Sequence, residues 1–232
     1  MPFVPRNELA VRYACAVIQD DRISRLPVDP FEVASLHGIS LLPLSLALQD
    51  PGWIPWNLPA LLGMTDALTI AYPAFCIVYR DEVRDPGRLR WVLTHELGHL
   101  FMNHFRDFPD QMSPGLRADG GLEAEADMFA RNLLAPVPLV DVIRYNRPRQ
   151  AKAPLFGLSR SAWMRRLDAL GADRSCITAE TADTVLFSFR SYLLGRRCPA
   201  CGLSFEDEAD AGVCPKCGSA DLEWLLEDPG TA

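Results

Sequence analysis

Three groups of residues in this 232-residue chain have types and spacings that can do chemistry. The first is His95-Glu96-Leu97-Gly98-His99, an H-E-x-x-H pattern. On a helix, residues four apart share a face, so His95 and His99 present two imidazoles to one metal ion. Glu96 lies one step round, beside the ion but outside its ligand set, where it can take a proton from a bound water. The second group, Glu123, Glu125 and Asp127, begins 24 residues after His99. The third is Cys198-Pro199-Ala200-Cys201 and Cys214-Pro215-Lys216-Cys217, with twelve residues between the pairs.

Two histidines leave a catalytic zinc site one protein ligand short, with a further position kept for water. Glu123 and Asp127 are four apart and share a helical face, whereas Glu125 is about 200° round from Glu123. Glu123 is therefore read as the third ligand, with Glu125 as the alternative. That choice leaves Asp127 one turn along, placed to accept the N–H of a ligand histidine and hold its tautomer. The cysteine pairs read as two knuckles that close four thiolates, Cys198, Cys201, Cys214 and Cys217, around a structural zinc. Gly202 and Gly218 follow each pair, as a tight turn favours. A thioredoxin-like redox use is disfavoured because no βαβ pattern surrounds the cysteines. The expected cofactors are thus two zinc ions, one open for catalysis and one sealed.

The elements that must carry these groups follow from periodicity. A proline-free helix over about 88–104 carries the histidines, with Leu89, Val92, Leu93, Leu97, Leu100, Phe101 and Phe105 toward a core. Gly98, inside the motif, suggests a close helix crossing. A helix over 122–134 carries the acids. Upstream, a helix over 8–20 has a stripe of Leu9, Tyr13, Ala16 and Val17, and a second over 30–37 is capped by Asp29 with Pro30 first. Strands are expected at 39–46, 67–71 and 74–80, with a Pro- and Trp-bearing loop at 51–59. The strand over 74–80 is the expected edge for an extended substrate segment. The long loop 105–121 is a candidate lid. Downstream come a helix over 139–146, a basic connector over 147–154, and a helix over 158–170 with Ser159 as N-cap and Gly171 as its stop. A strand is expected over 185–193. His104 is five residues past His99, on the wrong face for a ligand, and reads as structural.

Composition is that of a globular chain, 49% hydrophobic and 23% charged. No apolar run is long enough to span a bilayer, and Met1–Arg6 lacks the build of a signal peptide, so a cytoplasmic, reducing compartment is expected. Cys15, Cys76 and Cys176 then read as small core residues. The net charge of −7 is carried by residues 198–232, which hold eight acids and one lysine. Duplex phosphates would be repelled there, so this module is read as stabilising or protein-contacting, and direct nucleic-acid binding is not favoured. Residues 144–166 hold seven basic residues and no acid. Phe156–Leu167 resembles the turn and second helix of a helix-turn-helix, but Trp163, Leu167 and Leu170 are expected to pack into the core with the basic residues solvated outside.

The stretch T-H-E-L-G-H-L-F-M-N-H, followed by L-E-A-E-A-D-M-F-A-R-N-L-L-A-P, resembles the ImmA/IrrE family of zinc-dependent metallo-endopeptidases. The likeness extends to Leu26–Pro30 with His37-Gly38-Ile39, and to Phe156–Ser159, covering roughly 8–170. Its E-x-x-A-D segment also looks like the third-ligand motif of thermolysin-type peptidases, which favours Glu123 and Asp127. The resemblance implies an α+β, zincin-like (gluzincin) core with a small sheet packed on the active-site helix, followed by a segment that resembles a zinc ribbon. It implies a protease that cuts a cytoplasmic transcriptional repressor, with Glu96 activating the zinc-bound water. The expected division is 1–138 peptidase core, 139–197 basic helical segment and connecting strand, and 198–232 ribbon. The competing readings are a non-proteolytic DNA- or protein-binding regulator with structural metals, and a toxin–antitoxin partner.

Overall fold

Helix starts are set by local chemistry. Asp29, Asp85, Asp119, Ser159 and Thr178 each accept a backbone N–H of the first turn that follows, meeting donors that have no partner within the helix. The structure, a computed structural model, describes residues 4–63, 65–71, 74–113, 119–146, 152–206 and 212–224. The tip of the candidate lid (114–118), most of the basic connector (147–151) and much of the acidic tail (207–211 and 225–232) lie outside the described residues. So do Met1–Phe3. The fold is mixed α+β, mostly helical, with two three-stranded sheets.

The helices α1 (Asn7–Asp20) and α2 (Pro30–Leu36) lead to β1 (Ser40–Pro43). Four residues end that strand because Pro43 has no N–H to continue a ladder. The chain turns instead into α3 (Leu44–Ala47), a 3-10 turn at Pro51–Trp56 and α4 (Leu58–Leu61). The expected Pro/Trp loop is therefore helical. Ala47, Leu58 and Leu62 close a small core over one sheet face with Ile70, Cys76 and Val78. The strands β2 (Ala67–Ile70) and β3 (Cys76–Tyr79) complete the order β1-β3-β2, with β1 parallel and β2 antiparallel to β3. Ile77 faces the main core while Cys76 and Val78 face the small one, which is why β3 is almost wholly apolar. The same placement corrects the expected edge role. β3 is paired on both sides, and the edges are β1 and β2.

Against the sheet and α2 lies α5 (Pro86–Phe101), and α6 (His104–Asp107) follows after a left-handed turn at Asn103. Leu93 and Leu97 are fully buried; the other expected core residues of this helix are half-buried. The helix α7 (Gly120–Leu134) packs on α5 and on α1, and α8 (Val137–Asn146) adds Leu139, Val140 and Ile143 to the same core. On α1 the buried stripe is Ala10, Val11, Ala14, Cys15, Val17 and Ile18, rotated from the expected one, with Leu9 and Tyr13 at its margin. Cys15 and Cys76 are buried as expected, and Cys176 is half-buried.

Beyond a 3-10 turn at Ala153–Phe156, α9 (Arg160–Arg174) runs through Gly171 rather than stopping there. Next come α10 (Ala179–Ser188) and α11 (Arg190–Leu194), where a strand was expected. Val185 and Phe189 are fully buried while Phe187 is 74% exposed. In a strand these three residues would share a face; in a helix only the pair four apart does. The second sheet, β4 (Gly195–Arg197), β5 (Ser204–Glu206) and β6 (Glu223–Trp224), is antiparallel in the order β5-β4-β6. Among the described residues no helix is long and apolar enough to cross a membrane.

The segment that resembles a DNA-reading helix is built into this core. Trp163 stacks on Phe156 at 4.9 Å, and both are buried with Leu170, while Leu167 is half-buried. Arg166 was expected on the solvated face and is instead fully buried. It donates to Asp173 (2.6 Å), the Ala135 carbonyl (2.7 Å) and Asn132 (3.1 Å), while Arg131 makes two further bonds to Asp173. Burial works against ionisation of Asp173, but the bonds and charges of Arg131 and Arg166 prevail and hold its carboxyl below its ordinary value. A depressed carboxylate contributes stability above its unfolded pKa of about 4 and loses it as the pH falls through its folded value. Asp173→Asn is expected to destabilise the protein by about 3–5 kcal/mol, because it strands buried guanidinium charge. Urea unfolding at neutral pH measures this loss, and the gap to wild type should narrow below about pH 4.

Candidate metal centres

Asp85 accepts from the N–H groups of Gly87 and Arg88, and Pro86 occupies the first helical position, so the start of α5 sets the rotation of its motif. His95 and His99 then face α7 across a tight crossing. A Cβ on Gly98 would stand 3.0 Å from the Ala126 carbonyl oxygen, 3.1 Å from its Cα and 3.2 Å from the Phe129 ring. Two of these are backbone atoms that cannot swing aside. Gly98→Ala is therefore expected to lose stability on balance, although alanine favours a helix by about 1 kcal/mol. Urea unfolding and metal titration should both show a loss; a stabilised variant would refute the close-crossing account.

Across that crossing α7 presents Glu123. Its carboxylate lies 3.2 Å from His95 Nε2 and 3.6 Å from His99 Nε2, and the two Nε2 atoms are 3.1 Å apart. One ligand-type atom from each of the three residues lies within 4.8 Å of the others, a group able to hold a metal ion. Asp127 accepts from His95 Nδ1 at 2.9 Å, as its spacing predicts. Glu125 is turned away and bonds Arg6 and His104, so the third position falls to Glu123.

The donor set fits a cation. Each histidine has its Nδ1 engaged elsewhere, His95 with Asp127 and His99 with His104, leaving both Nε2 atoms directed at each other and at a carboxylate. Without a metal, only a proton can relieve that crowding of lone pairs. Burial lowers the pKa of His95, but the Asp127 and Glu123 hydrogen bonds and the Glu96 charge outweigh it and raise it to about 10. His99 is driven well below its ordinary value by burial and by the neighbouring His95 and His104. Imidazole nitrogens and one carboxylate are borderline ligands of the kind that suit zinc.

Glu96 stands outside this group, and Thr69 Oγ1 on β2 donates to its carboxylate at 2.7 Å. Burial raises the Glu96 pKa, partly offset by the His95 charge and the Thr69 bond. A carboxyl poised upward beside a metal site is suited to taking and returning a proton. No local signal in the sequence marks Thr69, because it meets Glu96 only through the packing of β2 on α5.

The four cysteines also converge. Their Sγ atoms lie within 4.8 Å of one another, with Cys198–Cys217 at 3.5 Å and Cys201–Cys214 at 3.6 Å, too long for disulfides. The two knuckles repeat one geometry. The N–H of Gly202 bonds the Cys198 carbonyl and that of Gly218 the Cys214 carbonyl, each at 2.8 Å. Both glycines sit at φ +72°, in the left-handed region, as the tight turn requires. The strand β4 begins at Gly195, three residues before the first of the four cysteines.

Compared with known proteins, the chain matches no family model and no curated sequence.

Proposed function

We propose that the chain is a zinc-dependent metallo-endopeptidase of the zincin-like, gluzincin kind that its ImmA/IrrE resemblance implies. In this reading it acts in the cytoplasm on a regulatory protein, with a helix-turn-helix transcriptional repressor as the substrate. The observation that carries the reading is the asymmetry around Glu96. His95, His99 and Glu123 converge as ligand atoms, while Glu96 stays beside them without joining and is held by Thr69. A purely structural metal has no use for such a group.

When bound, zinc supplies a Lewis acid that makes water nucleophilic near neutral pH. His95, His99 and Glu123 would hold it, and Asp127 holds His95 in the tautomer that offers Nε2. Glu96 takes the proton from the attacking water and returns it to the leaving amine, with Thr69 keeping the carboxylate aimed. An extended substrate segment pairs with an edge strand, and β2 rather than β3 is the edge beside Glu96. Cys198, Cys201, Cys214 and Cys217 would hold a second, fully enclosed zinc with a structural role.

The regulator reading loses support from Arg166, which is buried on Asp173 and cannot contact nucleic acid without local unfolding. The proposed activity is tested by incubating the zinc-loaded protein with candidate helix-turn-helix repressors and following the products by mass spectrometry. A new terminus that appears with zinc and not with chelator supports the reading. An intact repressor under both conditions counts against it.

A further inference from the structure

His104, expected to be structural, touches the candidate metal ligand His99 directly. His99 Nδ1 and His104 Nδ1 are 2.8 Å apart, His104 Nε2 is 2.9 Å from Glu125 Oε2, and His104 and Glu125 are both fully buried. Arg6, just before α1, closes the chain. It donates its backbone N–H and its Nε to Glu125 Oε1, and its Nη2 to Oε2. We propose that His104 is a positioning residue that selects the tautomer in which His99 offers Nε2 to the metal, and that Glu125, clamped by Arg6, orients His104 for that task. The inference rests on the metal-site reading above.

Proton counting carries the argument. A neutral imidazole whose Nε2 lone pair faces a cation must carry its hydrogen on Nδ1. His99 Nδ1–H therefore donates, and His104 Nδ1 must accept. A neutral His104 that accepts at Nδ1 carries its hydrogen on Nε2, and the group facing that nitrogen is a carboxylate oxygen, which only accepts when ionised. Every remaining bond to Glu125 comes from a donor of Arg6. The bonds thus run in a single direction, from His99 through His104 to Glu125, and from Arg6 to Glu125. Reversing any one of them would set two donors or two acceptors face to face. The left-handed turn at Asn103 ends α5 and brings His104 back under His99, so the relay depends on the α5–α6 corner. The two ligand histidines are consequently unequal. His95 leans on a half-exposed carboxylate and His99 on a buried neutral ring.

A residue that only filled space would tolerate an apolar replacement of similar volume; a tautomer selector would not. In full-length protein, zinc is titrated against a chromophoric chelator, and wild type should take two equivalents. His104→Leu should weaken the histidine–glutamate equivalent about 10- to 100-fold and leave the cysteine equivalent unchanged. His104→Asn, whose amide oxygen falls near the place of Nδ1, should recover most of the loss. His104→Gln, which reaches Glu125 but not His99, should not. In zinc-loaded wild type, long-range 1H–15N spectra should show His99 with hydrogen on Nδ1 and His104 with hydrogen on Nε2. That measurement decides the matter even where a variant fails to fold. Wild-type affinity in His104→Leu, or a His99 lacking the Nδ1 hydrogen, overturns the relay while the metal site stands. Binding of only the cysteine equivalent in wild type overturns the metal site and the relay together.

Discussion

Glu96→Gln is expected to lower peptide cleavage by about 10²- to 10⁴-fold, the usual contribution of a positioned acid–base group, with both zinc equivalents still bound. The separation of these effects follows from position. Glu96 contributes no atom to the group formed by His95, His99 and Glu123, so its loss should not loosen that group. Glutamine is nearly isosteric and its carbonyl oxygen can still accept from Thr69 Oγ1, which now donates to the carboxylate at 2.7 Å. What disappears is the ability to take a proton. Glu123→Gln should behave differently and weaken metal binding first, because it replaces an anionic ligand atom 3.2 Å from His95 Nε2. Cleavage of the repressor followed alongside zinc content distinguishes the two variants. Cleavage retained in Glu96→Gln would end the proton-transfer role given to Glu96, whatever metal the protein holds.

The second large effect concerns the C-terminal strands. Cys214→Ser is expected to unfold β4, β5 and β6 while leaving the main core folded. These strands are three, three and two residues long, and neither hydrophobic core includes a described residue of this segment. Cys198 and Cys214 are themselves among its few buried side chains. A sheet of this size has too little apolar area to stand alone, and structural zinc supplies about 10–16 kcal/mol in comparable peptides. Removal of one thiolate therefore removes the main source of order there. Amide hydrogen exchange should show protection lost across the strands of this segment and kept in α5 and α7, with the main unfolding transition little changed. Protected amides in these strands, in the variant or in chelator-treated protein, would refute a sheet built on metal.

Both effects trace to motifs read directly from sequence, because the relevant geometry lies within a few residues. Four-residue spacing fixes the angle between His95 and His99 about a helix axis, and a C-x2-C knuckle closes on itself through local hydrogen bonds. The helix starts at Asp29 and Ser159 are legible for the same reason. Rotation about the helix axis likewise separates Glu123 from Glu125, whose side chains face different partners. Where local signals conflict, they misled. Residues 185–193 carry β-branched and aromatic side chains, yet tertiary burial of Val185 and Phe189 selected a helix.

The rest was decided by what packs on what. Thr69 reaches Glu96 across 27 residues and Arg6 reaches Glu125 across 119, distances at which the sequence carries no angular information. Whether β3 lies at the edge or the centre depends on β1 and β2 arriving on either side of it. Arg166 looked like one more solvated base until Asp173, Asn132 and the Ala135 carbonyl enclosed it. Sequence by itself determined which residues can bind and activate, because spacing along a helix or a knuckle is a local property. Only the tertiary structure decided what orients them, because a hydrogen-bond partner is chosen by the packing of distant elements.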